Sequence, residues 1–233
     1  MSGSHQHIPV EHWKAVYGIN HPYPAPSQVP WKAHKREFVH AGLVTAAGAS
    51  SRMGSPKALL RLPDGTPLAQ HQTDVLKRGG CSPVMVVLGS EAERIAKELR
   101  TCDTVINAQW RAGRLTSIQC GLKALDRFDG CFIMPVDAVG MKPETLRAVR
   151  EIAETGEHDV VRPTHDGKPG YLVWISRTIA EKVMAIQVDG DTPLNEILAS
   201  HTKTLPVDDP AILHNINTPE DWEKVRGEVS DSL

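Results

Sequence analysis

The sequence has no uninterrupted apolar stretch long enough to span a bilayer, which excludes a transmembrane helix and argues against a membrane partner. Its N-terminus has no apolar signal core, only a polar run rich in His and Pro, so the expectation is a cytoplasmic protein. There is no C-x-x-C pair. Cys81, Cys102, Cys120 and Cys131 are scattered, each in or beside an apolar segment, and read as small core residues in a reducing compartment. None has the surroundings of an activated thiol, so no dedicated nucleophile is implied. Charge of neither sign dominates: the net charge is −2, with acids and bases interspersed. Without a basic patch interleaved with aromatics, nucleic acid is not an expected partner. Two well-known glycine loops are also missing. The Walker pattern G-x-x-x-x-G-K-[ST] fails because Lys57 stands three residues after Gly54 with no Ser or Thr behind it. The dinucleotide pattern G-x-G-x-x-G fails because Ala46 or Ser50 stands where a flanking glycine is needed, which argues against a nicotinamide-dependent dehydrogenase.

What is present is the stretch Gly42 to Leu60, GLVTAAGASSRMGSPKALL. An apolar run enters a turn of tiny residues, Ala46-Ala47-Gly48-Ala49-Ser50-Ser51, and two cations follow, Arg52 and Lys57. Such a turn exposes backbone N–H groups that nothing bulky covers, and those donors suit a polyphosphate. An ordinary βα turn explains the glycine alone. It does not explain two cations beside a bare backbone, so Arg52 and Lys57 are candidates to neutralise phosphate charge.

The length of 233 residues fits one α/β domain of ordinary size, and by itself also permits two small domains. Residues 1–39 differ from the rest, with several His, Pro and aromatic residues and no sustained periodicity. They read as a partly ordered arm with one short helix over Val10–Tyr17, and His5-x-His7 reads as flexible polar terminus. The domain is expected over 40–227, with a short tail at 228–233. Strands are expected over Phe38–Ala46, Pro83–Leu88, Thr104–Asn107 and Gly130–Val136. Helices are expected over Leu68–Arg78, Glu91–Leu99, Ser117–Leu125 and Pro143–Glu154. This alternation predicts an α/β fold with a mainly parallel sheet and helices on both faces. Ligands of such sheets sit beyond the carboxyl ends of the strands. The loop after the first strand and Asp137, after the fourth, both fall there. A carboxylate so placed suits a Mg2+ ligand, and equally a turn-forming Asp. Near the C-terminus, Thr218 makes a natural N-cap, Pro219 fits the first helical position, and Glu220 and Asp221 favour the helix N-terminus.

The stretch AAGASSRMGSPKALL resembles the signature L-A-A-G-x-S-x-R-M-G-x-x-K-x-L of the molybdenum-cofactor nucleotidyltransferases, and further matches extend the resemblance from roughly Ala41 to Arg226. The resemblance implies a Rossmann-like nucleotidyltransferase fold of the GT-A-like kind, with a mainly parallel but mixed sheet. It implies transfer of a nucleotide from an NTP onto a phosphorylated, molybdopterin-type acceptor, with pyrophosphate leaving and Mg2+ as cofactor. It favours the metal role for Asp137, although Ala138-Val139 replace the usual Met-Pro. Asn215-Ile216-Asn217-Thr218-Pro219-Glu220-Asp221 resembles the element whose last Asn or Asp helps hold the metal, so Asn217 is the second metal candidate and Asn215 a weaker one. Asn107 to Ile118 resembles a loop that helps hold the nucleotide, which brings in Asn107 and Ser117 beside Ala46, Ala47, Gly48, Ala49 and Ser50. A plain N-cap role for Ser117 remains open. Ala47, where the guanylyl branch favours a second glycine, points towards the cytidylyl branch and CTP over GTP.

On the acceptor side the chain departs from the pattern. Tyr171-Leu172 stands where His-Pro is usual, and Asp189 to Leu194 lacks the downstream Gly and Arg of its counterpart. Lys168 and Asp191 remain the acceptor-side candidates there. The departures keep open a sugar-1-phosphate or other small-phosphate nucleotidyltransferase. A non-catalytic nucleotide-binding protein is a second alternative. The resemblance also leaves room for a protein partner that receives the finished cofactor.

Overall fold

Leu43 and Val44 are neighbours in sequence, yet they pack in two different cores, because successive side chains of a strand point to opposite faces. The computed structural model describes residues 37–99, 101–188, 198–199 and 201–230. The expected arm through residue 36, with its helix over Val10–Tyr17 and the His5-x-His7 pair, lies outside the described residues. So do Asp191 with its whole segment and the end of the tail.

The strands are β1 (His40–Ala46), β2 (Val84–Leu88), β3 (Asp103–Ile106), β4 (Gly130–Pro135), β5 (Val160–His165), β6 (Lys168–Pro169), β7 (Val173–Ser176) and β8 (Thr202–Pro206). The helices are α1 (Leu68–Arg78), α2 (Ala92–Glu98), α3 (Arg114–Ala124), α4 (Pro143–Ala153), α5 (Arg177–Ala185) and α6 (Pro219–Ser230). Among the described residues all eight strands join one sheet in the order β3-β2-β1-β4-β7-β5-β6, with β8 paired to β5. The half around β1 is parallel, whereas β7 runs antiparallel to both β4 and β5. The sheet is mixed and the fold Rossmann-like, with helices on both faces. On one face Leu76, Leu146 and Trp222 cover Val44, Val86 and Phe132; on the other Ile118, Leu122, Ile179 and Val183 cover Leu43, Val87 and Ile133. Among the described residues no helix is long and apolar enough to cross a membrane. The four cysteines are free, and burial pushes the Cys81 thiol up to about 12, far from an activated nucleophile.

The strand order creates the crevice. From β1 the chain passes through α1 to β2 and β3 on one side, then returns through α3 to β4 on the other side of β1. At such a switch point the loops leaving the two central strands diverge to opposite faces and open a cleft between them. The register places Thr45 opposite Pro135, and the Val136 amide donates to the Thr45 carbonyl at 3.0 Å. The small-residue loop and Asp137 therefore leave the sheet side by side.

His71 on α1 is fully buried, and burial pushes its imidazole down from 6.5 to about 4. The folded protein thus holds it neutral while the unfolded chain takes up a proton below about 6.5, so stability falls as pH drops through that window. The full shift corresponds to about 3 kcal/mol. Urea unfolding between pH 7.5 and 4.5 should show this loss, and His71→Asn should make the slope shallower, leaving the part due to His40, whose imidazole burial also lowers.

Candidate active site

The loop after β1 holds its own shape. Ser50 adopts a left-handed conformation with φ 52°, its carbonyl accepts from the Met53 amide at 2.8 Å, and its hydroxyl accepts from the Lys57 amide at 3.1 Å. Met53 is buried beneath the loop as an apolar plug. Gly48 is exposed, and a Cβ built there would meet no protein atom within 4 Å, so its missing side chain leaves open space beside bare backbone. Gly89 contributes differently: a Cβ there would lie 2.6 Å from the Ala47 carbonyl and 2.6 Å from Trp110 Cβ. Its absence lets the loop after β2 press against Ala47.

Lys57 begins a short 3-10 turn (Lys57–Leu59) and extends its ammonium to Asp137 Oδ2 at 2.7 Å and to Asn217 Oδ1 at 3.4 Å. Arg52 Nη2 donates to the same Asn217 oxygen at 3.1 Å. Four residues singled out from the sequence thus converge on one point. Their side chains surround a cavity of about 210 Å3, which Thr45, Ala46, Gly48 and Ser50 also line. The pair is partly buried, with side-chain exposures of 12% for Lys57 and 22% for Asp137, so water screens it less than a surface ion pair.

Asn217 reaches Asp137 because the C-terminal segment is clipped onto the loop after β4. The Ile216 amide donates to the Asp137 carbonyl at 3.0 Å, and Ala138 bridges to Asn215. Just beyond, Asp221 Oδ2 accepts from the amides of Asn217 and Thr218, each at 3.0 Å, while the Thr218 hydroxyl accepts from the Asp221 amide at 3.2 Å. This reciprocal cap starts α6 as the Thr-Pro-Glu-Asp sequence requires. The amides of Asn217 and Thr218 hold the Asp221 carboxyl below its ordinary value.

A second cavity of about 600 Å3 adjoins the first and shares Thr45, Gly48 and Asp137 with it. Ala47, Trp110, Arg111, Arg114 and Ser117 close it. One expectation needs correcting here: α3 starts at Arg114 after a Gly113 cap, so Ser117 is a turn inside the helix and is not its N-cap. Gly113, with φ 107°, makes the break that permits the earlier start. Ser117 Oγ accepts from Asn107 Nδ2 at 3.0 Å, and the same amide donates to Thr116 Oγ1 at 2.9 Å. Asn107 is buried and lines neither cavity, so it braces the loop over which Trp110 and Arg111 stand. Ala49 and Asn215 also lie outside both linings, and Lys168 is exposed on the β5–β6 hairpin away from them.

Sequence reasoning assigned no role to Thr45, Trp110, Arg111 or Arg114. A usable signal was the cluster of Trp110, Arg111 and Arg114 in a loop already marked as nucleotide-holding. Arg111 stacks its guanidinium 4.5 Å over the Trp110 ring. Burial, and secondarily the charge of Arg114, lower the Arg162 guanidinium from its ordinary value.

The donor set can be tested against a metal ion. Asp137 Oδ2 and Asn217 Oδ1 are hard oxygens already focused on one cation, the Lys57 ammonium. Among the described residues no group of three or more His, Cys, Asp or Glu side chains is placed to hold a metal. Two protein oxygens with the rest supplied by phosphate and water is the arrangement that Mg2+ accepts and zinc does not need.

The model of the MobA-like NTP transferase domain matches residues 42–205. The molybdenum cofactor cytidylyltransferase of Escherichia coli K12 is 28% identical over 186 residues, covering 77% of this chain and 92% of that protein. A probable molybdenum cofactor guanylyltransferase of Mycobacterium marinum is 32% identical over 188 residues, covering 78% and 90%. The crystal structure of Rv0371c from Mycobacterium tuberculosis H37Rv in complex with manganese superposes with a TM-score of 0.66 at 23% identity, covering 81% of this chain and 98% of that one.

Proposed function

Because this chain belongs to the MobA-like NTP transferase family, and is therefore a nucleotidyltransferase, we propose that it moves CMP from CTP to a phosphorylated, molybdopterin-type acceptor with release of pyrophosphate. The observation that carries this reading is the Lys57 ammonium held between Asp137 and Asn217, at the floor of a cavity walled by bare backbone. That cavity suits the triphosphate, and the adjoining one beside Ala47 and Trp110 suits the base and ribose. Lys57 and Arg52 lie where they can take phosphate oxygens, and each gives up a bond to Asp137 or Asn217 when it does. The freed oxygens of Asp137 and Asn217 would then hold Mg2+. When bound, such an ion neutralises developing charge on the phosphoryl oxygens.

An oxygen of the acceptor phosphate attacks the α-phosphorus in line, and the bond to pyrophosphate breaks as the new P–O bond forms. Such transfer calls for positioning and charge neutralisation more than for a strong base. Chelation by EDTA should therefore abolish pyrophosphate release and added Mg2+ restore it; activity that survives chelation would remove the metal from this scheme.

The choice of CMP rests on Ala47, a buried residue whose methyl narrows the second cavity where a glycine would widen it. Pyrophosphate release measured with each of four NTPs and a panel of phosphorylated acceptors tests the reading, and a preference for GTP would overturn it. Ala47→Gly should shift the CTP-to-GTP ratio of kcat/KM by about tenfold towards GTP, the scale of one methyl in a binding pocket. Curated relatives include both cytidylyl- and guanylyltransferases, so the nucleotide is a property that this residue has to decide. A second reading, another small phosphorylated acceptor, is favoured by Tyr171, 39% exposed where the family pattern has His.

A further inference from the structure

Gln72 is a polar side chain in the apolar underside of α1, only 2% exposed, between the buried His71 and Thr73. A buried amide is costly unless its hydrogens are used. Both are used, and on one target: Nε2 donates to the carbonyl of Val136 at 3.2 Å and also to the carbonyl of Ala138. These carbonyls flank Asp137. The carbonyl of Asp137 itself is held from the other side by the Ile216 amide at 3.0 Å. Three consecutive peptide oxygens of the loop after β4 are thus pinned, two of them by one side chain. An isolated turn leaves the direction of its side chain loose; pinning the peptides on both sides of a residue sets where its Cβ points.

We propose that Gln72 is a positioning residue for nucleotidyl transfer, fixing the loop 136–138 so that the Asp137 carboxylate faces Asn217 and the cavity. This rests on the reading of Asp137 given above. Gln72 also links the two halves of the site. It lies on the helix that follows the Lys57 turn, and that helix is joined to the turn by the Leu68 amide donating to the Leu60 carbonyl at 2.8 Å. One helix therefore bonds both to the turn that carries the ammonium and to the loop that carries the carboxylate.

The test uses Gln72→Met, which keeps length and volume but donates nothing, with Thr73→Ala as a control. Thr73 is equally buried on the same helix and bonds within it, its hydroxyl donating to the Ala69 carbonyl at 2.9 Å. Gln72→Met should lower kcat about tenfold or more with little change in the KM for the NTP. It should also weaken Mn2+ binding about tenfold, read by electron paramagnetic resonance in the presence of a non-hydrolysable NTP analogue. Thr73→Ala should lower the melting temperature without moving either value. In an Asp137→Ala background, Gln72→Met should cost no further activity, because the group it positions is gone. Unchanged kcat and Mn2+ affinity in folded Gln72→Met, with Asp137→Ala inactive, would overturn the role of Gln72 alone. Full activity in Asp137→Ala would overturn the underlying reading of the site instead. Should Gln72→Met fail to fold, Gln72→Asn carries the same amide one methylene short, and wild-type kcat with wild-type Mn2+ affinity in that variant overturns the proposal.

Discussion

Asp137→Ala and Lys57→Ala should each lower nucleotidyl transfer by a hundredfold or more while the protein stays folded. Removing a charge that acts mainly on the transition state typically costs about 3 kcal/mol, which is roughly a hundredfold in rate. The two variants should differ in how they treat a cation. In the ligand-free protein the Lys57 ammonium already stands 2.7 Å from Asp137 Oδ2 and 3.4 Å from Asn217 Oδ1. A divalent ion has to displace it. Lys57→Ala should therefore bind Mn2+ more tightly than wild type in the absence of nucleotide, although its turnover is lost. Asp137→Ala should lose both. Mn2+ titration beside a pyrophosphate-release assay separates the two, and equal metal affinity in both variants would show that the ion binds elsewhere. Folding should survive because the pair lines a cavity and the cores on both faces of the sheet do not include it.

Asp209→Ala should destabilise the protein by about 3 kcal/mol, the scale of leaving several buried donors without an acceptor. The Asp209 side chain is 2% exposed and accepts three hydrogen bonds: from Thr145 Oγ1 at 2.6 Å, from the Lys142 amide at 3.0 Å and from the Ala211 amide at 3.2 Å. The N-terminus of α4 has no side-chain cap of its own, so Asp209 supplies one from more than sixty residues away. For a chain of this size the loss should lower the melting temperature by roughly 6–12 °C. Activity should fall as well, because Asp209 anchors the segment that carries Asn217 to the site. Asp209→Asn should recover part of the stability, since one amide oxygen still accepts. A melting temperature within one or two degrees of wild type for Asp209→Ala would show that these bonds contribute little.

Much of the first half of the fold was legible because its signals are local. The helix over Leu68–Arg78 was placed to the residue, and the strands before Asp137 were placed to within two residues at either end. A short apolar run between turn residues needs no distant information to be recognised. The antiparallel strands β5, β6 and β7 and the added β8 were not anticipated. Val160 to His165 carries a proline and a histidine in six residues, and β6 is only two residues long, so neither has a periodicity to read. Their strand character comes from pairing with β7, β8 and each other. The helix α3 began three residues earlier than Ser117 because Gly113 breaks the chain there.

The same division holds at the site. From the sequence alone came the small-residue turn with its two cations, the carboxylate at the end of an apolar strand and the helix start at Thr218. Each is a feature of a few adjacent residues, whose chemistry follows from propensity, capping and backbone exposure. Only the tertiary structure decided that Lys57 grips Asp137 across 80 residues and Asn217 across 160, that Gln72 holds the peptides around Asp137, and that Asp209 caps a helix far from it in sequence. Those contacts join segments far apart in the chain, and those at Asp137 form where the strand order reverses around β1. Their partners are selected by the closing of the fold, and no local pattern in the chain encodes a neighbour so distant.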